Sequence, residues 1–159
     1  YMKKNFSTGG VLGAVIGVTN IEKSMTLYKD VLGFDKVISD TTDVFNDWNG
    51  VEGSQKKFRR VVIRNSKPRE GSFGPLLGDN EIELIQALDY SPKKIFENRL
   101  WGDCGFIHLC FDIKNMSALQ KACEKVGQPF TVDGGAGFEM GEAAGHFTYI
   151  EDADGTLIE

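Results

Sequence analysis

The sequence lacks several features by which disulfide-rich, nucleic-acid-binding and membrane proteins are recognised. Its 159 residues include three cysteines, four prolines and two histidines, and no stretch approaches the roughly 18 consecutive apolar residues that a membrane helix needs. Acidic residues outnumber basic ones by 23 to 18, giving a net charge of −5. That balance disfavours a partner held through its phosphates, so we expect a small molecule as the partner and not a nucleic acid. The lack of a long apolar run leads us to expect no membrane partner.

The cysteines show no CxxC spacing and are too few for a disulfide framework in a chain of this length. We therefore expect reduced thiols and a cytoplasmic protein. An apolar content of 41% and a charged content of 26% are typical of a globular chain with a sizeable core. Because Tyr1 precedes Met2 and the chain stops at Glu159 inside a predicted strand, we also expect a longer parent chain.

The first half predicts the order β-α-β-β-β. A β-branched stretch from Val11 to Val18 is followed by Asn20, which is an N-cap residue, and then by apolar positions at helical spacing that end at Gly33. Three alternating or apolar runs follow this helix and are predicted to be strands. They are Phe34 to Ile38, Phe58 to Ile63 and Glu81 to Ala87.

The second half repeats this order. Phe106 to Ile113 is a predicted strand, and Asn115 caps a predicted helix that ends at Gly127. Shorter predicted strands follow at 130–132, 146–150 and 156–159. Aligning the two cap residues gives an offset of 95 residues, which indicates two related modules. The predicted organisation is an N-terminal extension (1–10), a first module (11–87), a linker (88–104) and a second module (105–159).

Three segments resemble the vicinal oxygen chelate superfamily, which includes glyoxalase I, bleomycin-resistance proteins and extradiol dioxygenases. They are VTNIEKSMTLYKDVLGF (18–34), HLCFDIKNMSAL (108–119) and YIEDADGTLIE (149–159). The resemblance implies an α+β fold in which two β-α-β-β-β modules form an open, incomplete barrel around a cup. Exposed strand edges make a homodimer an expected assembly.

The resemblance also implies a divalent metal in the cup, held by the first and last strands of each module. The four matching positions are Gly13, Glu83, His108 and Glu159, and glycine has no side chain to ligate. Glu83, His108 and Glu159 are then the predicted ligands of Zn²⁺, Ni²⁺, Mn²⁺ or Fe²⁺. The alternatives are a hydrogen-bonded core histidine at 108 and solvated glutamates, with Glu81 on the same strand face as Glu83.

The resemblance favours a metal-dependent isomerase or lyase acting on a small oxygenated molecule, with Glu83 or Glu159 as the catalytic base. The alternative is a metal-free protein that binds a small molecule, as bleomycin-resistance proteins do, and Gly13 favours it. An extradiol-type dioxygenase fits less well because its metal needs two histidine ligands. Tyr149 has the spacing of the dioxygenase tyrosine, but we interpret it as a packed aromatic residue.

A basic run lies on the predicted strand that begins at Phe58. It consists of Lys56, Lys57, Arg59, Arg60 and Arg64. These residues could attract an anionic substrate, but apolar residues alternate with them, which favours the solvated face of a strand. The remaining site prediction concerns Gly13: if three ligands hold a metal, a Gly13→His substitution should supply a fourth.

Overall fold

The computed structural model describes residues 10–45, 48–67, 79–133 and 145–159. The predicted extension, 1–10, lies outside the described residues except for Gly10. The helices and strands in chain order are β1 (Gly13–Val18), α1 (Ile21–Tyr28), β2 (Lys36–Asp43), β3 (Phe58–Arg64), β4 (Glu81–Ala87), α2 (Met116–Lys125), β5 (Val132–Asp133), β6 (Thr148–Glu151) and β7 (Leu157–Ile158).

The first four strands form one sheet in the order β1-β4-β3-β2. β1 runs parallel to β4, whereas β3 is antiparallel to both β4 and β2. Ile82 and Leu84 of β4 are buried in the core, so the residues between and beside them point to the opposite face. We call that second face the open face of the sheet. The alternation places Glu81 and Glu83 on it.

The last three strands form a smaller sheet in the order β5-β6-β7. Leu109 pairs in parallel with Ile158 of β7, as Ala14 of β1 pairs with Ile82 of β4. Leu109 and Ala14 are separated by the 95-residue offset of the two helix caps. The second module therefore repeats the pairing of the first, and His108 is equivalent to Gly13.

The predicted strand from Phe106 to Ile113 is shorter in the structure, where Leu109 makes a single bridge. Backbone bonds join Leu109 N–H to Leu157 and Phe111 N–H to Glu159. β7, the strand beside this segment, is only two residues long. Among the described residues the pairing therefore extends no further than Phe111, which explains the shortening.

Both helices begin as the sequence predicts. The side chain of Asn20 accepts a hydrogen bond from Lys23 N–H, and that of Asn115 accepts one from Ala118 N–H. Each helix is followed by a glycine with positive φ, Gly33 at 82° and Gly127 at 76°. That conformation reverses the chain and is the conformation that glycine adopts at little cost.

The turn between β6 and β7 joins the two modules. Asp154 accepts hydrogen bonds from the backbone and hydroxyl of Thr19, at 2.8 and 2.7 Å. Asp152 accepts one from the buried Tyr28 hydroxyl at 2.9 Å. Thr19 and Tyr28 belong to the first segment that resembles the superfamily, and both aspartates belong to the last. These two segments therefore contact each other.

The core is continuous across both modules. Residues of α1 and the first sheet pack in one cluster with Cys123 of α2, Ile150 and Ile158, and the rings of Phe34 and Phe111 meet edge to face at 5.8 Å. The fold is α+β, with two β-α-β-β-β modules and curved sheets that do not close into a barrel, as predicted. Within the described segments, no helix is long and apolar enough to cross a membrane.

Candidate functional site

Three polar side chains meet on the open face of the second sheet. Thr148 and Ile150 are buried, so Tyr149 between them points to the opposite face. Glu159 follows the buried Ile158 and lies on the same open face as Tyr149. His108 lies beside Leu109, which packs against the core. Strand alternation therefore brings His108, Tyr149 and Glu159 together, although 41 residues separate the first two.

The three side chains form a closed triangle of contacts. His108 Nε2 lies 2.9 Å from Glu159 Oε2, and Tyr149 donates its hydroxyl proton to the same oxygen at 3.2 Å. The Tyr149 oxygen is also 3.3 Å from His108 Nδ1. The side chains of His108 and Glu159 are 24% and 26% exposed. We call these three residues the polar triad, and they remain accessible to a small molecule.

The surroundings of the triad keep nearby groups protonated. Burial and the charge of Glu159 raise the pKa of Tyr149, although a hydrogen bond from Trp101 lowers it in part. Cys110 is an exposed residue, but partial desolvation of its thiol raises the pKa, and the charges of Glu159 and Asp112 raise it further. The tyrosine can therefore donate a proton to a ligand or to the carboxylate at neutral pH.

Glu83 lies on the open face of the first sheet but already has a cationic partner. Arg60 Nε is 2.5 Å from Glu83 Oε1, and the two side chains are 20% and 16% exposed. The guanidinium also lies over the rings of Phe45 and Trp48, at 4.5 and 4.4 Å from their centroids. Such stacking adds a favourable interaction to the ion pair. The charge of Glu83 is therefore neutralised by an arginine.

Gly13 lies against the backbone of β4. A Cβ atom at this position would be 2.3 Å from the carbonyl oxygen of Glu81, which is far inside van der Waals contact. The parallel pairing of β1 and β4 continues here, since Glu81 N–H bonds to the carbonyl of Leu12 at 2.9 Å. The close approach of the two strands thus requires glycine.

Of the three predicted ligands, the structure brings together His108 and Glu159 and places Glu83 in the separate pair with Arg60. Among the described residues, no group of three or more His, Cys, Asp or Glu side chains is arranged to hold a metal ion. The side chains as placed therefore do not fit the three-ligand centre that the resemblance implies.

The arginines of the basic run form ion pairs within the first module. Arg59 contacts Glu22 and Asp40, and Arg64 contacts Glu81. The Arg59 guanidinium lowers the pKa of the Asp40 carboxyl. These pairs support the interpretation of the run as a strand face over that of an anion-binding patch.

Sequence reasoning missed two residues of this region. It interpreted Tyr149 as a packed aromatic residue, whereas the structure places its hydroxyl against His108 and Glu159. The signal in the sequence was that Tyr149 precedes Glu159 by ten residues, which is the spacing of the dioxygenase tyrosine. It also grouped Arg60 with the strand cations, and the alternation of β3 and β4 alone did not reveal its pairing with Glu83.

The comparisons with known proteins agree with this architecture. A family model described as the Glyoxalase/Bleomycin resistance protein/Dioxygenase superfamily matches residues 14–149. The chain belongs to that superfamily. No curated protein matches it.

Several solved structures share the fold. A glyoxalase family protein from Bacillus cereus matches with a TM-score of 0.63 at 12% identity, over 99% of this chain and 95% of that one. A glyoxalase family protein from Enterococcus faecalis matches with a TM-score of 0.60 at 15% identity, over 94% of each chain. The trypanothione-dependent glyoxalase I of Leishmania major matches with a TM-score of 0.53 at 18% identity, over 95% and 84%. At these identities the likeness concerns the fold alone.

Proposed function

We propose that this chain is a metal-free small-molecule-binding protein of the superfamily, with the polar triad of His108, Tyr149 and Glu159 as its anchor for the ligand. The observation that carries the proposal is the ion pair between Glu83 and Arg60. It supplies the positive charge that Glu83 would otherwise require from a metal. The packing of Gly13 against Glu81 supports the same conclusion, because it leaves no room for a ligand side chain there.

The triad suits a ligand that both donates and accepts hydrogen bonds. Glu159 can accept from a hydroxyl or amine, and the Tyr149 hydroxyl can donate to a carbonyl or ether oxygen. Partial burial strengthens such bonds relative to water. The ligand would thus displace or bridge the contacts that the three side chains now make with one another.

The second candidate is a metal-dependent isomerase or lyase with Glu83, His108 and Glu159 as ligands of Zn²⁺, Ni²⁺, Mn²⁺ or Fe²⁺. The adjacency of His108 Nε2 and Glu159 Oε2 favours it, since an imidazole and a carboxylate are common metal ligands. A bound divalent ion would polarise a substrate oxygen. Either glutamate would then move the substrate proton, but Glu83 would first have to leave Arg60.

Isothermal titration with Zn²⁺, Ni²⁺ and Mn²⁺, beside thermal melts, separates the candidates. The metal-free proposal predicts no stoichiometric binding to the wild type. If any variant binds metal more tightly than the wild type, we expect it to be Arg60→Gln, because this substitution removes the cation that pairs with Glu83. Stoichiometric binding to the wild type that falls at least about tenfold in both His108→Ala and Glu83→Gln would establish the metal centre instead. A cytoplasmic location and a homodimer remain predictions of the sequence.

A further inference from the structure

A second feature of the second module lies beside the triad. A cavity of about 630 Å³ separates the open face of the β5-β6-β7 sheet from the segment 94–101, which belongs to the predicted linker. Tyr149 lines this cavity, whereas His108 and Glu159 do not. The volume is within the range of sites that hold drug-sized molecules. The cavity is therefore large enough for a ligand body whose polar end reaches the triad.

The walls of the cavity are mainly apolar and aromatic. Trp101 and Phe96 come from the linker side and Tyr149 and Leu157 from the sheet side. Trp101 remains 61% exposed, so a molecule inserted against its ring would remove apolar surface from water. Aromatic rings on both sides of the cavity favour a flat ligand, because stacking adds to the free energy gained from burial.

The charges around the cavity select the sign of the ligand. Its lining includes four carboxylates and two cationic side chains. Both cationic side chains already have partners. Lys94 lies 3.8 Å from Asp154, and Arg99 stacks over Phe96 and donates hydrogen bonds to backbone carbonyls. Glu97 and Glu151 are exposed, and within the described ranges neither forms an ion pair. The field in the cavity therefore favours a positive charge.

We propose that this cavity binds a planar organic cation, with Trp101 and Tyr149 as its stacking walls and Glu151 as a charge partner. The cavity and its aromatic walls define the site, and the carboxylates determine only the sign of the ligand. A cation over an aromatic face gains an attraction that an anion of the same shape does not. This inference rests on the proposed function, because both require that the chain binds a small molecule.

Two planar bicyclic probes of opposite charge, N-methylquinolinium and 2-naphthoate, test the assignment by isothermal titration calorimetry. The chain has two tryptophans, so Trp48→Phe leaves Trp101 as the sole fluorescent reporter of where a probe binds. We expect N-methylquinolinium to bind at least about threefold more tightly than 2-naphthoate and to change Trp101 emission. Trp101→Ala should weaken its binding about tenfold.

Glu151→Gln should reduce the preference for the cation about threefold, and Glu52→Gln, at an exposed position outside the cavity lining, should not change it. Equal or tighter binding of 2-naphthoate would overturn the charge assignment and leave the metal-free proposal standing. Failure of both probes to bind, or binding insensitive to Trp101→Ala, would overturn the site. Cation binding in a chain that also carries stoichiometric metal on His108 would instead contradict the proposed function alone.

Discussion

Replacing Gly13 by alanine tests the structural reason for the missing family ligand. The new Cβ would lie 2.3 Å from the Glu81 carbonyl oxygen, whereas carbon and oxygen atoms usually approach no closer than about 3.3 Å. The two strands would have to separate by about 1 Å, which strains the bond between Leu12 and Glu81. Overpacking of this kind costs about 1–3 kcal/mol.

Gly17→Ala is the matched control. Gly17 lies on the same strand and face, and a Cβ there meets no atom within 4 Å, so its effect should range from neutral to about 1 kcal/mol of stabilisation. Urea unfolding of both variants measures the difference. Gly13→His should be at least as destabilising as Gly13→Ala and should not tighten metal binding. If Gly13→His unfolds at the same urea concentration as the wild type and binds Zn²⁺ more tightly, the contact with Glu81 is not what excludes a ligand side chain at position 13.

Two further predictions concern the joint between the modules and the neighbourhood of the triad. Tyr28→Phe removes a buried hydrogen bond to Asp152 and should lower the free energy of unfolding by about 1.5–3 kcal/mol; a loss under about 0.5 kcal/mol in urea unfolding would contradict this. Cys104 and Cys110 are both exposed, but at pH 8 iodoacetamide should alkylate Cys110 more slowly, because partial desolvation and the charge of Glu159 raise the pKa of its thiol. Glu159→Gln should speed Cys110 alkylation as measured by mass spectrometry, and no change would refute the role of its charge.

Local signals in the sequence predicted most of the fold. Asn20 and Asn115 cap the helices as expected, and the strand from Glu81 to Ala87 has the predicted bounds. These features depend on a few neighbouring residues. The first strand of the second module was predicted too long, because its length depends on how far β7 extends beside it.

The candidate site was only partly predictable because its contacts join distant strands. Strand alternation predicted that Glu81 and Glu83 share one strand face, and in the structure this is the open face. Alternation could not show that Arg60, which lies diagonally opposite Glu83 across β3 and β4, would form an ion pair with Glu83 and neutralise its charge. The contact of Tyr149 with His108 and Glu159 depends in the same way on the register of three segments far apart in sequence.

The central claim is that Arg60, and not a metal, neutralises Glu83. Elemental analysis of protein purified without chelators tests it most directly. We expect zinc, nickel, manganese and iron each well below one equivalent per chain, in the wild type and in His108→Ala alike. About one equivalent of a single divalent metal in the wild type, lost in His108→Ala, would contradict it.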